Sequence, residues 1–392
     1  MNQKLFNLLL RPIEAVIASI SPIIDQQALS QKLFFADFVK KLFFAYLEQV
    51  SSLRSLAVEL QTNEKCSALG LAYTPFSTLK DGFSRFSSEA CRSLFETVLS
   101  EMKLKRIKGL DEIGLFRVID GSLFPTLIQM SWSAYRKRKN AFKLHLQFEL
   151  NRMIPTEFLI GSGKSSEREF LLKVLEAGVT YIADRGYASF EIVAQVWQAQ
   201  AYFVFRVKDN LLYEVQEVLS SATEELPNCF DQVRDESVVF TNDQHRSRVR
   251  LVQFKVAGSY FRLLTNRFDL STLQVIILYA YRWQIELFFK YLKRTLNGLH
   301  LFNQSENGIG IQFYLLMTLC LLLLQFKQQR ESRHKKKRGK VVTNEANPSE
   351  WIKQIGEIFY ESWKISKKWL LIFKNSLSKA VDNELLTLLD SC

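Results

Sequence analysis

Three carboxylates stand where a metal ion could be held, each at the edge or on the polar side of an apolar segment. Leu115-Phe-Arg-Val-Ile-Asp120 and Val179-Thr-Tyr-Ile-Ala-Asp184 are short apolar runs that each end in an aspartate. Each reads as a buried strand with its carboxylate at the C-terminal edge, where ligands gather in open α/β sheets. The third is Glu286, within YAYRWQIELFFKYLK at residues 279–293. No Pro or Gly interrupts residues 273–294, so the pattern predicts one helix over that range. At 100° per residue, Tyr279, Arg282, Glu286, Lys290 and Lys293 fall within an arc of roughly 80°. A helix apolar on nearly every other side is a buried one, and its polar stripe must meet partners that satisfy its charges. One carboxylate among three cations and a phenol suits a metal ion held beside phosphate groups. Singly, each feature also has an ordinary reading. An Asp after a strand is a common turn former, and Glu, Lys and Arg at helical spacing commonly lace a solvated face.

The elements needed to carry these residues follow in order along the chain. Phe142-Lys-Leu-His-Leu-Gln-Phe-Glu149 alternates as a strand does, and 156–160 reads as the next. Residues 165–177 form a helical pattern that Gly178 stops, and a second helix is expected over 190–200 before the strand 202–208. Strands followed by helix–strand alternation, with the last carboxylate on a late helix, make an α/β core.

The spacing Tyr279-x2-Arg282-x3-Glu286-x6-Lys293 is similar to the Tyr-Arg-Glu-Lys signature of the insertion-sequence-four group of bacterial transposases. Asp120, Asp184 and Glu286 resemble the acidic triad of the DDE transposases, and Asp184-Arg-Gly-Tyr187 matches that group closely. The likeness spans roughly residues 110–330 and includes KLHL around His145, FRVKDN at 205–210 and LLTN at 263–266. It implies a ribonuclease-H-like α/β catalytic core with a β-rich insertion, a helical N-terminal domain and a helical C-terminal segment. It implies that Asp120, Asp184 and Glu286 bind two Mg²⁺ ions, with Mn²⁺ able to substitute, about 4 Å apart. Tyr279, Arg282, Lys290, Lys293, Arg206 and Lys208 are then expected to contact DNA phosphates. Relatives of the group often carry a Trp just before the LLT strand. Phe261 stands there in this chain and is the candidate for stacking on a base.

Composition fits such a partner without selecting it. The 392 residues carry a formal charge of +12, which suits a polyanion. The five cysteines show no C-x-x-C, and the four histidines, His145, His245, His300 and His334, show no metal-ligand spacing. Structural thiols and histidines of a reduced, cytoplasmic protein are expected. No nucleotide-binding G-x-x-x-x-G-K-[ST] occurs, so no small-molecule cofactor is expected. No signal segment is legible, and the apolar run 313–324 is expected to be a buried helix behind the catalytic sheet, not a membrane span.

Breaks in pattern divide the chain. Residues 1–108 read as a helical DNA-binding domain, in which 73–86 offers a candidate recognition helix exposing Lys80, Ser84 and Arg85. Residues 109–326 read as the catalytic domain, with the insertion at about 209–265. Residues 327–349 form a basic linker, eight Lys or Arg falling within 327–340, and 350–392 a helical segment for dimerisation with Trp351, Trp363 and Trp369. Arg136-Lys-Arg-Lys139 is a second basic cluster. In the insertion, Glu214 to Asp243 holds eight acidic residues and one basic, and then Arg246, Arg248 and Arg250 alternate. As a strand they would share one face, with Asn242-Asp243 as a hairpin turn before them.

The function implied is cut-and-paste transposition: binding of terminal inverted repeats, cleavage, and joining of 3′-OH ends to target DNA within a homodimer. Two other readings stay open from sequence, a catalytically silent DNA-binding regulator and a ribonuclease-H-fold nuclease.

Overall fold

The computed structural model describes residues 3–337 except 26–32, 127–130, 137–138, 210, 220–229, 244–245, 257, 295 and 297. The 350–392 segment with its tryptophans, most of the 327–349 linker, His245 and the side chains of the Arg136–Lys139 cluster lie outside what is described.

The chain opens with α1 (Gln3–Asp25), α2 (Phe35–Leu47), α3 (Leu53–Thr62), α4 (Glu64–Ala68), α5 (Phe76–Arg85) and α6 (Ser88–Glu101). Then come α7 (Lys108–Asp111), β1 (Leu115–Thr126), β2 (Ala134–Arg136), β3 (Lys139–Glu149), β4 (Ile154–Ser162), α8 (Glu167–Lys173), β5 (Val179–Ala183), α9 (Phe190–Gln198) and β6 (Tyr202–Arg206). Strands β7 (Tyr213–Val218), β8 (Phe230–Phe240), β9 (Val249–Val256) and β10 (Ser259–Thr265) lead to α10 (Thr272–Ala280), α11 (Trp283–Arg294) and α12 (Glu306–Lys337). Serines set several helix starts by accepting a backbone N–H: Ser52 before α3, Ser87 before α6, Ser166 before α8 and Ser189 before α9. Ser271 and Gln274 complete a reciprocal capping box at α10.

Two compact units share this chain. The helical unit takes Met1–Lys105, Phe124–Phe142 and the described residues from Phe288 on. Its core is aromatic: Phe38 meets Phe83 and Phe86 at 5.1 and 5.0 Å, and Phe313 meets Phe124 and Phe142 edge-on at 5.1 and 5.2 Å. Helix α12 packs against α1, α2, α5 and α6, with Leu315, Leu316, Leu319 and Cys320 fully buried. The apolar run is therefore a buried helix, as expected, and it packs within the helical unit. Glu306–Gln329 is long and apolar enough to cross a membrane, but 83% of its most apolar window is buried within the protein. Asn307 on α12 donates to the carbonyls of Phe83 and Phe86, both at 2.9 Å, and accepts from the Ser88 N–H at 2.7 Å. As expected, Lys80, Ser84 and Arg85 are exposed on α5.

The α/β unit takes Arg106–Leu123 and Lys143–Leu287 among the described residues. Its sheet runs β4-β3-β1-β5-β6-β10-β9-β8-β7. Strands β1, β5 and β6 are parallel, and β10 then pairs antiparallel with β6 and carries β9, β8 and β7 outward. The insertion thus extends the catalytic sheet edge to edge. Its core includes Tyr181, Ala183, Phe203, Phe205, Val238, Leu251 and Leu264, buried under α8 and α9 residues Phe170, Ile192 and Val196.

Three local expectations are revised. Strand β1 does not end at Asp120 but continues to Thr126, because it stays beside β3 after leaving β5. The 273–294 helix is two helices: around Arg282 the backbone tightens to i→i+3 bonds, Arg282 N–H to Tyr279 O at 3.0 Å and Gln284 N–H to Tyr281 O at 2.9 Å. The three alternating arginines do not share a strand face, since β9 starts at Val249 and Arg246 takes a left-handed φ of 45°. The turn falls at 241–242 within a connection longer than a two-residue hairpin, where the Asp243 carboxylate accepts from the Ser247 N–H at 3.0 Å. Each arginine instead meets an acid of the same insertion: Arg246 with Glu214 at 3.2 Å, Arg248 with Glu217 at 2.5 Å and Arg250 with Asp235 at 2.6 Å.

Candidate active site

Asp120 and Asp184 are brought together by the parallel register of β1 and β5. The ladder pairs Leu115 with Val179 through Val118 with Ile182, and the two aspartates each follow two residues later. Since side chains alternate along a strand, both leave the sheet on the face of Val118 and Ile182. Each carboxylate also folds back on the next residue: Gly121 N–H donates to Asp120 Oδ1, and Arg185 N–H to Asp184 Oδ1, both at 2.8 Å. The flanking residues Ile119, Ile182 and Ala183 are fully buried, which fixes where both chains emerge.

Helices α10 and α11 supply the third acid and its neighbours. Arg282, in the tight turn between them, places Nη2 2.6 Å from Glu286 Oε1 and Nη1 3.7 Å from Asp120 Oδ2. Tyr279 donates its hydroxyl to Asp184 Oδ1 at 3.3 Å. Asp120, Asp184 and Glu286 are thus connected to one another through two side chains of the predicted stripe. Lys290 and Lys293 lie further along α11, in the helical unit, where the Lys293 ammonium sits 4.7 Å from the centre of the Phe124 ring.

The electrostatics follow from burial. Asp120 is pushed up to about 6, first by desolvation; Gly121 N–H and Arg282 pull it down, and Glu167 and Glu286 oppose them. Tyr279 is pushed up to about 12 by burial, with Asp184 adding to the rise. Arg282 is buried too, which works against its charge, but Tyr279 and Glu286 outweigh this and hold it above the ordinary guanidinium range. Burial lowers Lys293.

Phe261 lies flat on Phe254, rings 8° apart at 5.2 Å, with the Arg206 guanidinium 4.6 Å from its centre. Tyr279 meets its edge at 6.3 Å. A chain of rings and cations therefore runs from Arg206 through Phe261 to Tyr279, which lies 5.8 Å from Arg282 and so joins the insertion to the acidic site. Lys208 is exposed just beyond β6. His145 is fully buried, with Nε2 2.7 Å from Ser165 Oγ and its ring stacked on Phe170, so it is a packing residue of the core.

Sequence reasoning missed two neighbours of the aspartates, Glu167 and Tyr187. Glu167, the first residue of α8, pairs with Lys143 at 3.3 Å. A Cβ on Gly121 would stand 3.0 Å from Glu167 Oε1, and one on Gly186 would stand 3.2 Å from Oε2. Glycine is therefore what lets both aspartate-bearing segments close on this carboxylate. The Tyr187 hydroxyl is buried without a hydrogen-bond partner, beside the charges of Glu167, Asp120 and Arg282. The signal for it was present in Asp184-Arg-Gly-Tyr187, but burial of the phenol is a tertiary property.

The donor set fits a hard divalent cation: three carboxylates, one of them reluctant to ionise because it is buried. Among the described residues no three His, Cys, Asp or Glu side chains are close enough to enclose a metal ion, and a guanidinium bridges two of the acids.

Comparison with known proteins identifies the family. The transposase DDE domain family matches residues 113–324, more than half of the chain. The chain is 24% identical over 261 residues to a protein of Geobacillus stearothermophilus named as a transposase for insertion sequence element IS5377, covering 65% of this chain and 68% of that one. It is 25% identical over 215 residues to a protein of Sinorhizobium fredii named as transposase y4zB, covering 53% of this chain and 60% of the relative's length. A solved structure of the piggyBac transposase synaptic complex with hairpin DNA aligns over 99% of this chain and 84% of its own, at 11% identity and a TM-score of 0.42. On the family match and these named relatives, the chain belongs to the DDE transposases, enzymes that act on DNA with divalent metal ions from a ribonuclease-H-like core.

Proposed function

We propose that this protein binds the terminal inverted repeats of its own insertion sequence, cuts the DNA there, and joins the freed 3′-OH ends to a target. The observation that carries the reading is the matched exit of Asp120 and Asp184 from neighbouring parallel strands, with Glu286 linked to Asp120 through Arg282. Membership of the insertion-sequence-four group rests on Tyr279, Arg282, Glu286 and Lys293 at their signature spacing.

In this reading Asp120, Asp184 and Glu286 hold two Mg²⁺ ions, for which Mn²⁺ substitutes. When bound, such ions activate the attacking oxygen and stabilise the leaving one. The residues of the chain do the rest. In the first reaction a water oxygen attacks phosphorus, the P–O3′ bond breaks, and the 3′-oxygen leaves with the electron pair and takes up a proton. In the second, that 3′-hydroxyl attacks a target phosphodiester and displaces the target's own 3′-oxygen. Arg282, Lys290 and Lys293 hold phosphates on either side of the cut, where fixed cations stabilise the charge that develops at phosphorus. Tyr279 orients Asp184, and Arg206 and Lys208 track the backbone beside the insertion. Phe261, already flanked by Arg206, offers a ring face to a displaced base.

Residues 1–108 serve as the end-binding domain and 109–326 as the catalytic domain, followed by a basic linker at 327–349. The 350–392 segment joins two copies, so that two ends are cut and joined within a two-fold homodimer in the bacterial cytoplasm. The test is a cleavage assay with the full chain, Mg²⁺ and a duplex carrying the DNA that flanks its gene. Nicks with 3′-OH ends and joined products support the proposal. Cleavage that persists in Glu286→Ala refutes it.

A further inference from the structure

Arg282 makes a contact that DNA binding alone does not require. Its guanidinium reaches two carboxylates at once, Glu286 Oε1 at 2.6 Å and Asp120 Oδ2 at 3.7 Å, and its side chain is only 11% exposed. It also lies 5.8 Å from the centre of the Tyr279 ring, whose hydroxyl donates to the third acid, Asp184. So all three acids are tied by protein donors, and no three acidic side chains among the described residues are gathered as a metal would gather them. A guanidinium on these oxygens and a small divalent ion approaching them carry like charge and crowd one another. The ion needs them at about 2.0–2.1 Å, inside the space the N–H groups fill.

The backbone at this position differs from that of the helices on either side. Arg282 N–H bonds to Tyr279 O at 3.0 Å, Gln284 N–H to Tyr281 O at 2.9 Å and Ile285 N–H to Arg282 O at 3.2 Å, all i→i+3. A tight turn between two helices lets one residue change its dihedrals while both helices keep their own ladders. Arg282 is thus both a bridging cation and the residue placed to move.

We propose that in the DNA-free protein the Arg282 guanidinium stands in for the catalytic cation and competes with divalent metal for Asp120 and Glu286. The inference rests on the metal-site reading given above. Metal entry requires Arg282 to release both acids. A DNA phosphate offers it a planar, two-oxygen partner of the kind it is giving up. By linkage, an anion that draws Arg282 away raises metal affinity, and metal raises the affinity for that anion by the same factor.

The test is Mn²⁺ binding to the full, DNA-free chain, followed by the electron paramagnetic resonance signal of free Mn²⁺. Arg282→Gln is expected to bind Mn²⁺ about tenfold more tightly than wild type, as loss of a charge-assisted contact allows. Arg282→Lys keeps the charge but loses the fork that spans two acids, so it too is expected to bind more tightly than wild type. Wild-type affinity in both variants overturns the proposal. A gain in the Gln variant with none in the Lys variant also overturns it, because net charge alone then accounts for the effect. Adding Asp120→Asn to Arg282→Gln separates the two layers. If the double variant loses Mn²⁺ binding, the metal-site reading stands whatever Arg282 does; if it binds as tightly as Arg282→Gln alone, that reading itself fails. Thermal unfolding of each variant confirms that a folded chain is being measured.

Discussion

Asp120 and Asp184 stand at matching positions on neighbouring parallel strands, each two residues past the last ladder pair, Val118 with Ile182. Their separation is set by strand spacing and buried neighbours, not by contacts between the carboxylates. Exchanging either for Asn should therefore leave the fold intact while removing a ligand charge. We predict a loss of DNA cleavage of about a thousandfold, several kcal/mol of barrier, with little change in unfolding temperature. Cleavage kinetics and a thermal melt on the same preparations check both halves.

The Arg250–Asp235 pair should be the most sensitive point of the insertion. Both side chains are almost wholly buried at 3% and 0% exposure, and Arg250 also donates to the carbonyls of Leu270 at 2.5 Å and Arg267 at 3.0 Å. Asp235→Ala strands a buried guanidinium and is expected to cost about 3–5 kcal/mol in urea unfolding. Asp235→Asn keeps an acceptor and should cost less.

His145 gives the fold a pH dependence with a definite sign. Burial, aided by Lys143 and Lys173, lowers it from 6.5 to about 4 in the folded state. The unfolded chain therefore binds more protons between these values. The stability contribution is fully present above about 6.5 and is lost as pH falls through about 4, on the order of 3 kcal/mol. Unfolding temperatures of wild type and His145→Gln over pH 4–7 should converge at the acid end relative to their neutral difference.

Salt dependence should distinguish the lysines proposed to contact DNA from the arginines that face acids of the insertion. Lys290→Ala and Lys293→Ala are each expected to lower the slope of log affinity against log salt by about one. Arg246→Ala and Arg248→Ala should leave the slope unchanged, since Glu214 and Glu217 neutralise those arginines. Equal slopes for all four would contradict the assignment.

Much of the core was legible because its signals are local. The apolar runs before Asp120 and Asp184 read as strands, the alternation of 142–149 read as β3, and Ser before acidic residues marked the start of α8. What escaped was tertiary. No Pro or Gly breaks the helix at Arg282, and the tightened turn appears with the guanidinium bridging two acids. The end of β1 was misplaced because β3 continues to pair beyond Asp120, a fact about a strand some twenty residues away. The arginines of the insertion looked like one strand face because sequence shows their alternation but not the acids that each meets. The apolar run of α12 announced a buried helix but not the helices α1, α2, α5 and α6 that it meets.

Asn307 has a mechanical consequence for the helical unit. By fastening the carbonyls of Phe83 and Phe86 and the N–H of Ser88, it clamps the end of α5 and the start of α6 to the first turn of α12. The helix that displays Lys80, Ser84 and Arg85 is therefore held to α12 and does not swivel on its own. A load applied there is carried as a torque into α12, the longest helix among the described residues. The end of α5, the start of α6 and the first turn of α12 thus move as one piece.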